Sequence, residues 1–239
     1  MDDSDPLVRR HRVPTPSRPL LGLTILVVED SRFACEAMRL LCLRSGARIR
    51  RADCLKSARR HLQVYRPSVV IVDLGLPDGS GTELISDLNE STPRVPALLG
   101  TSGDEFAQDA AMAAGADGFI AKPITSLGAF QCAILDLLPA DKQPNGPRVV
   151  TDEEISPDQM AFRDDMALVA NALHENSDGD VLDYVAQFLS GVARSADDTD
   201  LARAAAKLAQ ARKSGAPFAT DAARIAGMVQ ERLQQKRAI

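Results

Sequence analysis

Apolar residues first cluster at Leu23–Val28, a near-unbroken run of the kind found in a strand buried on both faces. Phe33–Arg44 follows with apolar residues at helical spacing and Gly46 as its stop. The alternation then repeats. Ala47–Arg51, Val69–Asp73, Val95–Gly100 and Gly118–Ala121 read as strands. Leu55–Val64, Thr82–Asn89, Glu105–Ala114 and Ser126–Leu138 read as helices. Strands alternating with helices predict a parallel α/β sheet. The second strand carries Arg48, Arg50 and Arg51, and a charged strand belongs at a sheet edge. The expected fold is therefore a flavodoxin-like (βα)5 doubly wound sheet with strand order 2-1-3-4-5.

After residue 139 the texture changes. Residues 140–150 contain Pro144, Asn145, Gly146 and Pro147 and read as a linker. Residues 151–239 show no strand pattern. They suit a smaller all-α domain with helices at Pro157–Glu175, Asp180–Ser195, Asp200–Lys213 and Phe218–Gln235. At the other end, residues 1–20 hold Pro6, Pro14, Pro16 and Pro19, which block helix and ladder alike, and are expected to be a disordered arm. Residues 21–139 would form the α/β domain.

Composition narrows the function. The chain has 239 residues, 45% hydrophobic and 26% charged, with net charge −5. Residues 151–239 contain 10 Lys+Arg and 15 Asp+Glu, so this half is acidic by itself and no DNA binding is expected of it. No apolar run reaches the ~18–20 residues of a membrane span, and the basic, proline-rich start lacks the apolar core of a secretion signal. Trp is absent, so stacking platforms for bases are poorly supplied. Cys35, Cys42, Cys54 and Cys132 form no C-x-x-C pair, and small buried thiols in a reducing cytoplasm are the expectation.

In such a sheet, ligands bind beyond the carboxyl ends of the strands. Glu29 and Asp30 follow strand one, Asp73 ends strand three, Thr101 ends strand four, and Lys122-Pro123 follow strand five. Three carboxylates crowded on one rim repel each other unless a divalent cation neutralises them, and hard oxygens in an open site suit Mg²⁺. A carboxylate beside a metal and an ammonium can attack phosphorus and form an acyl phosphate.

Glu29-Asp30, the segment Val72-Asp73-Leu74-Gly75-Leu76-Pro77-Asp78-Gly79-Ser80-Gly81, then Thr101-Ser102-Gly103 and Lys122-Pro123 together resemble the receiver domain of bacterial two-component response regulators. The resemblance covers residues 23–138. It implies that Asp73 is the phosphoacceptor, that Asp30 binds Mg²⁺ directly with Glu29 as a water-mediated helper, and that the Gly75 carbonyl is a further ligand. Thr101 and Lys122 would sense the phosphoryl group, and Phe119 matches the aromatic switch position. A cis bond at Lys122-Pro123 is in keeping with the family. A histidine kinase or a phosphotransfer protein would be the donor, in the cytoplasm, and the protein itself would not be an enzyme.

Alternatives fit less well. A phosphatase with an aspartate nucleophile expects a second acid two residues on, where Gly75 stands; a flavin carrier would not place Glu29-Asp30 against a phosphate. The stretch 180–215 faintly resembles the central helices of a histidine phosphotransfer domain. Alanine stands where that family has its histidine, so the chemistry would be lost. His174 is the only histidine in this half. Finally, 126–138 is apolar on too much of its circumference to face the sheet alone. A helix of 151–239, or the same helix of a second chain in a homodimer, is expected to cover it. The output would then run through protein–protein contact.

Overall fold

A computed structural model of the chain describes residues 13–104, 106–146, 150–175 and 179–235. Among these, seven strands occur: β1 (Thr24–Val28), β2 (Arg48–Ala52), β3 (Val69–Asp73), β4 (Gly75–Leu76), β5 (Gly79–Ser80), β6 (Ala97–Ser102) and β7 (Gly118–Ala121). The two-residue strands β4 and β5 pair only with each other. The other five form one parallel sheet in the order β2-β1-β3-β6-β7. Counting the sheet's own strands, this is the expected 2-1-3-4-5 arrangement. The basic strand β2 is indeed the edge, with Arg48, Arg50 and Arg51 exposed. β6 runs two residues beyond the expected end, which brings Thr101 and Ser102 into the ladder.

Side-chain alternation along the strands builds two cores. Ile25, Val27, Val69, Ile71, Ala97 and Leu99 pack under α1 (Arg32–Ser45) and α5 (Leu127–Leu135). Leu26, Val28, Val70, Val72 and Leu98 pack under α2 (Leu55–Val64), α3 (Gly81–Glu90) and α4 (Ala107–Ala113). α1 starts at Ser31, whose hydroxyl accepts the Ala34 amide, and stops at Gly46, where φ is +84°. α2 has no such cap of its own. The Asp78 carboxylate accepts the amides of Leu55 and Lys56 (2.8 and 2.9 Å) and ties the turn after β3 to that helix.

Four helices complete the chain: α6 (Gln159–Glu175), α7 (Gly179–Ser195), α8 (Thr199–Ser214) and α9 (Ala219–Gln234). Each packs on two neighbours, α6 on α7 and α9, and α8 on α7 and α9, which closes a four-helix bundle. Its core contains Met166, Val169, Val185, Leu189, Val192, Leu201, Leu208, Ile225 and Val229. α6 begins after Pro157 because Asp158 caps it, accepting the Met160 amide at 2.9 Å.

Three expectations need correction. Residues 1–12 of the proposed arm lie outside the described residues, but 13–20 are folded onto the α/β domain. Thr15 and Arg18 exchange backbone hydrogen bonds, and Leu20 is fully buried in the α1–α5 core, an apolar anchor the prolines obscured. The second correction concerns the stretch that begins at 151, which does not enter the bundle at once. It first runs extended past the start of α5, with Leu127 N–H donating to Glu153 and Ile155 N–H to Thr125 (3.0 and 2.8 Å). Ile155 is part of the α1–α5 core. That strap, with α1, packs on the apolar surface of α5, where a bundle helix was one of the expected covers. Leu127, Phe130, Ile134 and Leu138 are buried within this one chain. Lastly, the tail helices lie against α1 instead, through both α6 and α7.

Candidate functional site

The parallel register sets Asp73 beside Thr101, so the ends of β3 and β6 are level. β1 ends one position earlier, and Glu29 and Asp30 emerge from it at the same rim. Gly81 allows the close return of α3 beneath: a Cβ there would overlap the Asp73 carbonyl. One ligand oxygen each from Glu29, Asp30 and Asp73 lies within 4.8 Å of the others.

Lys122 enters this cluster from the end of β7, and its peptide bond to Pro123 is cis. Its Nζ lies 2.7 Å from Asp73 Oδ2 and 2.7 Å from Glu29 Oε2. The first contact has hydrogen-bond geometry. The second is an equally close ion pair, so Lys122 bridges the Asp73 and Glu29 carboxylates. Burial pushes the Glu29 carboxyl well above the ordinary range, against the pull of Lys122. Burial would lower Lys122, but Asp73 and Glu29 outweigh it and hold its ammonium above the usual lysine range. Burial also pushes Asp30 up to about 6. Three carboxylates against one ammonium leave a local excess of negative charge. Hard oxygens and an excess of negative charge are the environment a divalent cation relieves.

The remaining residues singled out from sequence are present with a difference. Thr101 is fully buried, and its hydroxyl donates to the Ile120 carbonyl at 2.7 Å and not toward Asp73. Phe119 is half-buried and lies over Gly100, where a Cβ would come 3.3 Å from its ring. Gly75 is placed by its N–H, which donates to Asp73 Oδ1 at 3.3 Å. None of the four cysteines is in a disulfide, and Cys35 and Cys42 are buried. His174 is exposed at the end of α6.

Sequence reasoning missed the bundle's share of this rim. Tyr184 of α7 donates its hydroxyl to Asp30 Oδ2 at 2.6 Å. The Gln187 side chain is packed so tightly on Gly75 that a Cβ there would overlap its amide. On α6, Asp165 is 1% exposed and accepts from the Ser31 hydroxyl and the amides of Arg32 and Phe33 (2.8, 2.9 and 3.1 Å). These are orphan donors of the first turn of α1, so a carboxylate from one unit caps a helix of the other. A signal for Asp165 existed: it falls on the same helical face as Phe162, Met166 and Val169, an acid on an apolar stripe.

The doubly wound sheet thus carries three carboxylates and a buried lysine together at its carboxyl rim. Residues 25–129, less than half of the chain, match the response regulator receiver domain family. Similar curated proteins include the KDP operon transcriptional regulatory protein KdpE of Escherichia coli, 33% identical over 99 residues, covering 41% of this chain and 44% of that one. The probable transcriptional regulatory protein TcrX of Mycobacterium tuberculosis is 33% identical over 104 residues, covering 43% and 44%. The chain thus spans less than half the length of these relatives. Among solved structures, a putative response regulator from Chloroflexus aurantiacus is 24% identical over 48% of this chain and 96% of that one, with TM-score 0.46. A Burkholderia pseudomallei response regulator is 28% identical over 50% and 68%, with TM-score 0.42.

Proposed function

We propose that Asp73 accepts a phosphoryl group from a histidine kinase or phosphotransfer protein, and that the state of Asp73 is read out by protein contact through the helical bundle. The observation that carries this reading is Asp73 beside Lys122 within the Glu29–Asp30–Asp73 cluster. An Asp73 carboxylate oxygen attacks the donor's phosphorus, a bond to phosphorus forms, and the donor's P–N bond breaks with its nitrogen as leaving group. Lys122 supplies positive charge to the phosphoryl oxygens. Thr101 can turn its hydroxyl from Ile120 to the same oxygens, and Phe119 can follow into the space that movement changes. Mg²⁺, when bound by Asp30, Asp73 and the Gly75 carbonyl with Glu29 behind them, would neutralise charge on the transferring group.

For the output, the family match ends at residue 129, before the bundle. The curated relatives are transcriptional regulators by name, but the acidic charge of 151–239 supports a protein partner here over DNA. The closed four-helix packing resembles a photransfer-type bundle only in outline, since α8 has no histidine. Among the described residues, no helix is long and apolar enough to cross a membrane, and we place the protein in the cytoplasm, acting as a switch and not as an enzyme. The test is labelling from a small phosphodonor with Mg²⁺. Asp73→Asn should abolish base-labile phosphate incorporation, and undiminished labelling would refute the assignment.

A further inference from the structure

Beside the acidic rim, where the receiver meets the bundle, lies a cleft of about 440 Å³. Its receiver wall holds Ser102 and Lys122, and its bundle wall holds Arg194 of α7 and Thr199 at the start of α8. That size is in the range of small-ligand sites, and the boundary between two packed units is a common place for one. The Arg194 side chain runs over Gly103, just after β6, with its Cδ 3.7 Å from where a Cβ would stand. Asp104 and Asp197 also line the cleft. Asp104 is engaged in its own turn, where it accepts the Phe106 amide at 3.0 Å. Among the described residues, the half-buried Arg194 guanidinium has neither a hydrogen bond nor an ion pair. Its fork of five N–H donors therefore faces the cleft without an acceptor.

Charge indicates the ligand. With Mg²⁺ bound as in the reading above, Glu29, Asp30 and Asp73 are balanced by the ion and Lys122. Phosphorylation turns the single charge of the Asp73 carboxylate into a group carrying nearly two. The rim then holds an excess negative charge, and Lys122 is already shared between Asp73 and Glu29. Arg194 borders the same space as Lys122, and the first turn of α8, the positive end of a 16-residue helix, opens onto it as well. We propose that this cleft is the outer half of the phosphoryl site, and that Arg194 of the bundle binds the phosphoryl oxygens on Asp73 together with Lys122. This rests on the phosphoreceiver reading above. A planar guanidinium fork matches phosphoryl oxygens, and a pre-placed cation offsets the charge as the group is transferred. The docked bundle is then a working part of the site. Mg²⁺ by itself gains nothing from Arg194, because no phosphoryl charge is yet present for it to meet.

The test uses the full chain, Mg²⁺ and beryllofluoride, which adds to an aspartate as a phosphoryl group does and carries the same charge. Arg194→Gln and Arg194→Lys both keep a long side chain over Gly103, and only the second keeps a positive charge. In calorimetry at saturating Mg²⁺, Arg194→Gln should weaken beryllofluoride roughly ten-fold, the scale of one hydrogen bond to a charged group. Arg194→Lys should recover part of that loss. Mg²⁺ alone should bind both variants no more weakly than the parent. Hydrogen exchange at the Arg32 and Phe33 amides, which are bonded to Asp165 across the interface, reports whether the bundle stays docked and should remain slow in all three proteins. Unchanged or tighter beryllofluoride binding in Arg194→Gln would overturn the proposal, and so would equal weakening by Gln and Lys. Faster exchange in Arg194→Gln before beryllofluoride is added would make the arginine a support of the interface and overturn it too. Weaker Mg²⁺ binding in Arg194→Gln would place its effect on the metal and likewise overturn it. Absence of beryllofluoride binding in the parent would overturn the phosphoreceiver reading itself, and the proposal with it.

Discussion

Phe33→Ala should detach the bundle while leaving the receiver folded. Phe33 lies in the first turn of receiver helix α1, yet its ring belongs to neither core of the sheet. It is 3% exposed and packs with Phe162, Met166 and Val169 in the bundle core. Its ring meets Phe162 edge-on, with centroids 5.8 Å apart and planes at 72°. Truncating a buried Phe to Ala costs ~3–5 kcal/mol, of which the edge-to-face pair is ~0.5–1.5 kcal/mol. That is large beside a domain stability of ~5–15 kcal/mol, and it falls on the docked interface and the bundle. Urea denaturation followed by segment-resolved hydrogen exchange measures it. Exchange should rise across α6 and α7 and at the Arg32 amide, at urea concentrations where Val69–Asp73 of β3 stays protected. Equal loss of protection in β3 and the bundle would refute the reasoning, because Phe33 would then be supporting the sheet. A change below ~0.5 kcal/mol would refute it too, since such a value is typical of a surface substitution.

Two further substitutions test the packing around the site. Gly81→Ala places a methyl on the Asp73 carbonyl, with backbone on both sides and no flexible side chain to yield; it should destabilise the receiver by ~1–3 kcal/mol in urea denaturation and slow labelling of Asp73, whereas wild-type stability would show that the turn relaxes freely. Ile155→Ala removes the strap's buried side chain from the α1–α5 core and should cost ~2–4 kcal/mol, with faster exchange at the Leu127 and Ile155 amides; unchanged exchange there would mean that the strap does not cover α5.

The receiver was largely legible because its signals are local. Apolar runs of strand length mark β1, β3 and β6, since strands buried on both faces have no polar side to show. Three arginines on β2 mark the edge because water must reach them. Acids and a lysine at strand ends are visible in the chain because a parallel sheet brings all its carboxyl ends to one rim. The bundle's helices were also readable from spacing, to within a few residues at each end. Where α5 would find its cover was not. Its apolar circumference declares that something must pack there, but a short extended strap and a long helix bury a surface equally well, and sequence spacing does not choose between them.

What the sequence determined by itself is the five strands of the main sheet, the principal helices, the strand order and which residues line the acidic rim. Only the tertiary structure decided that α6 and α7 lie on α1, that Asp165 caps that helix from across the chain, and that Tyr184 and Gln187 cover the rim. The physical reason is the range of the interactions. Tyr184 and Asp30 are 154 positions apart, and no local preference links them. Their meeting depends on how two finished surfaces fit, with Phe33 filling a space in the bundle.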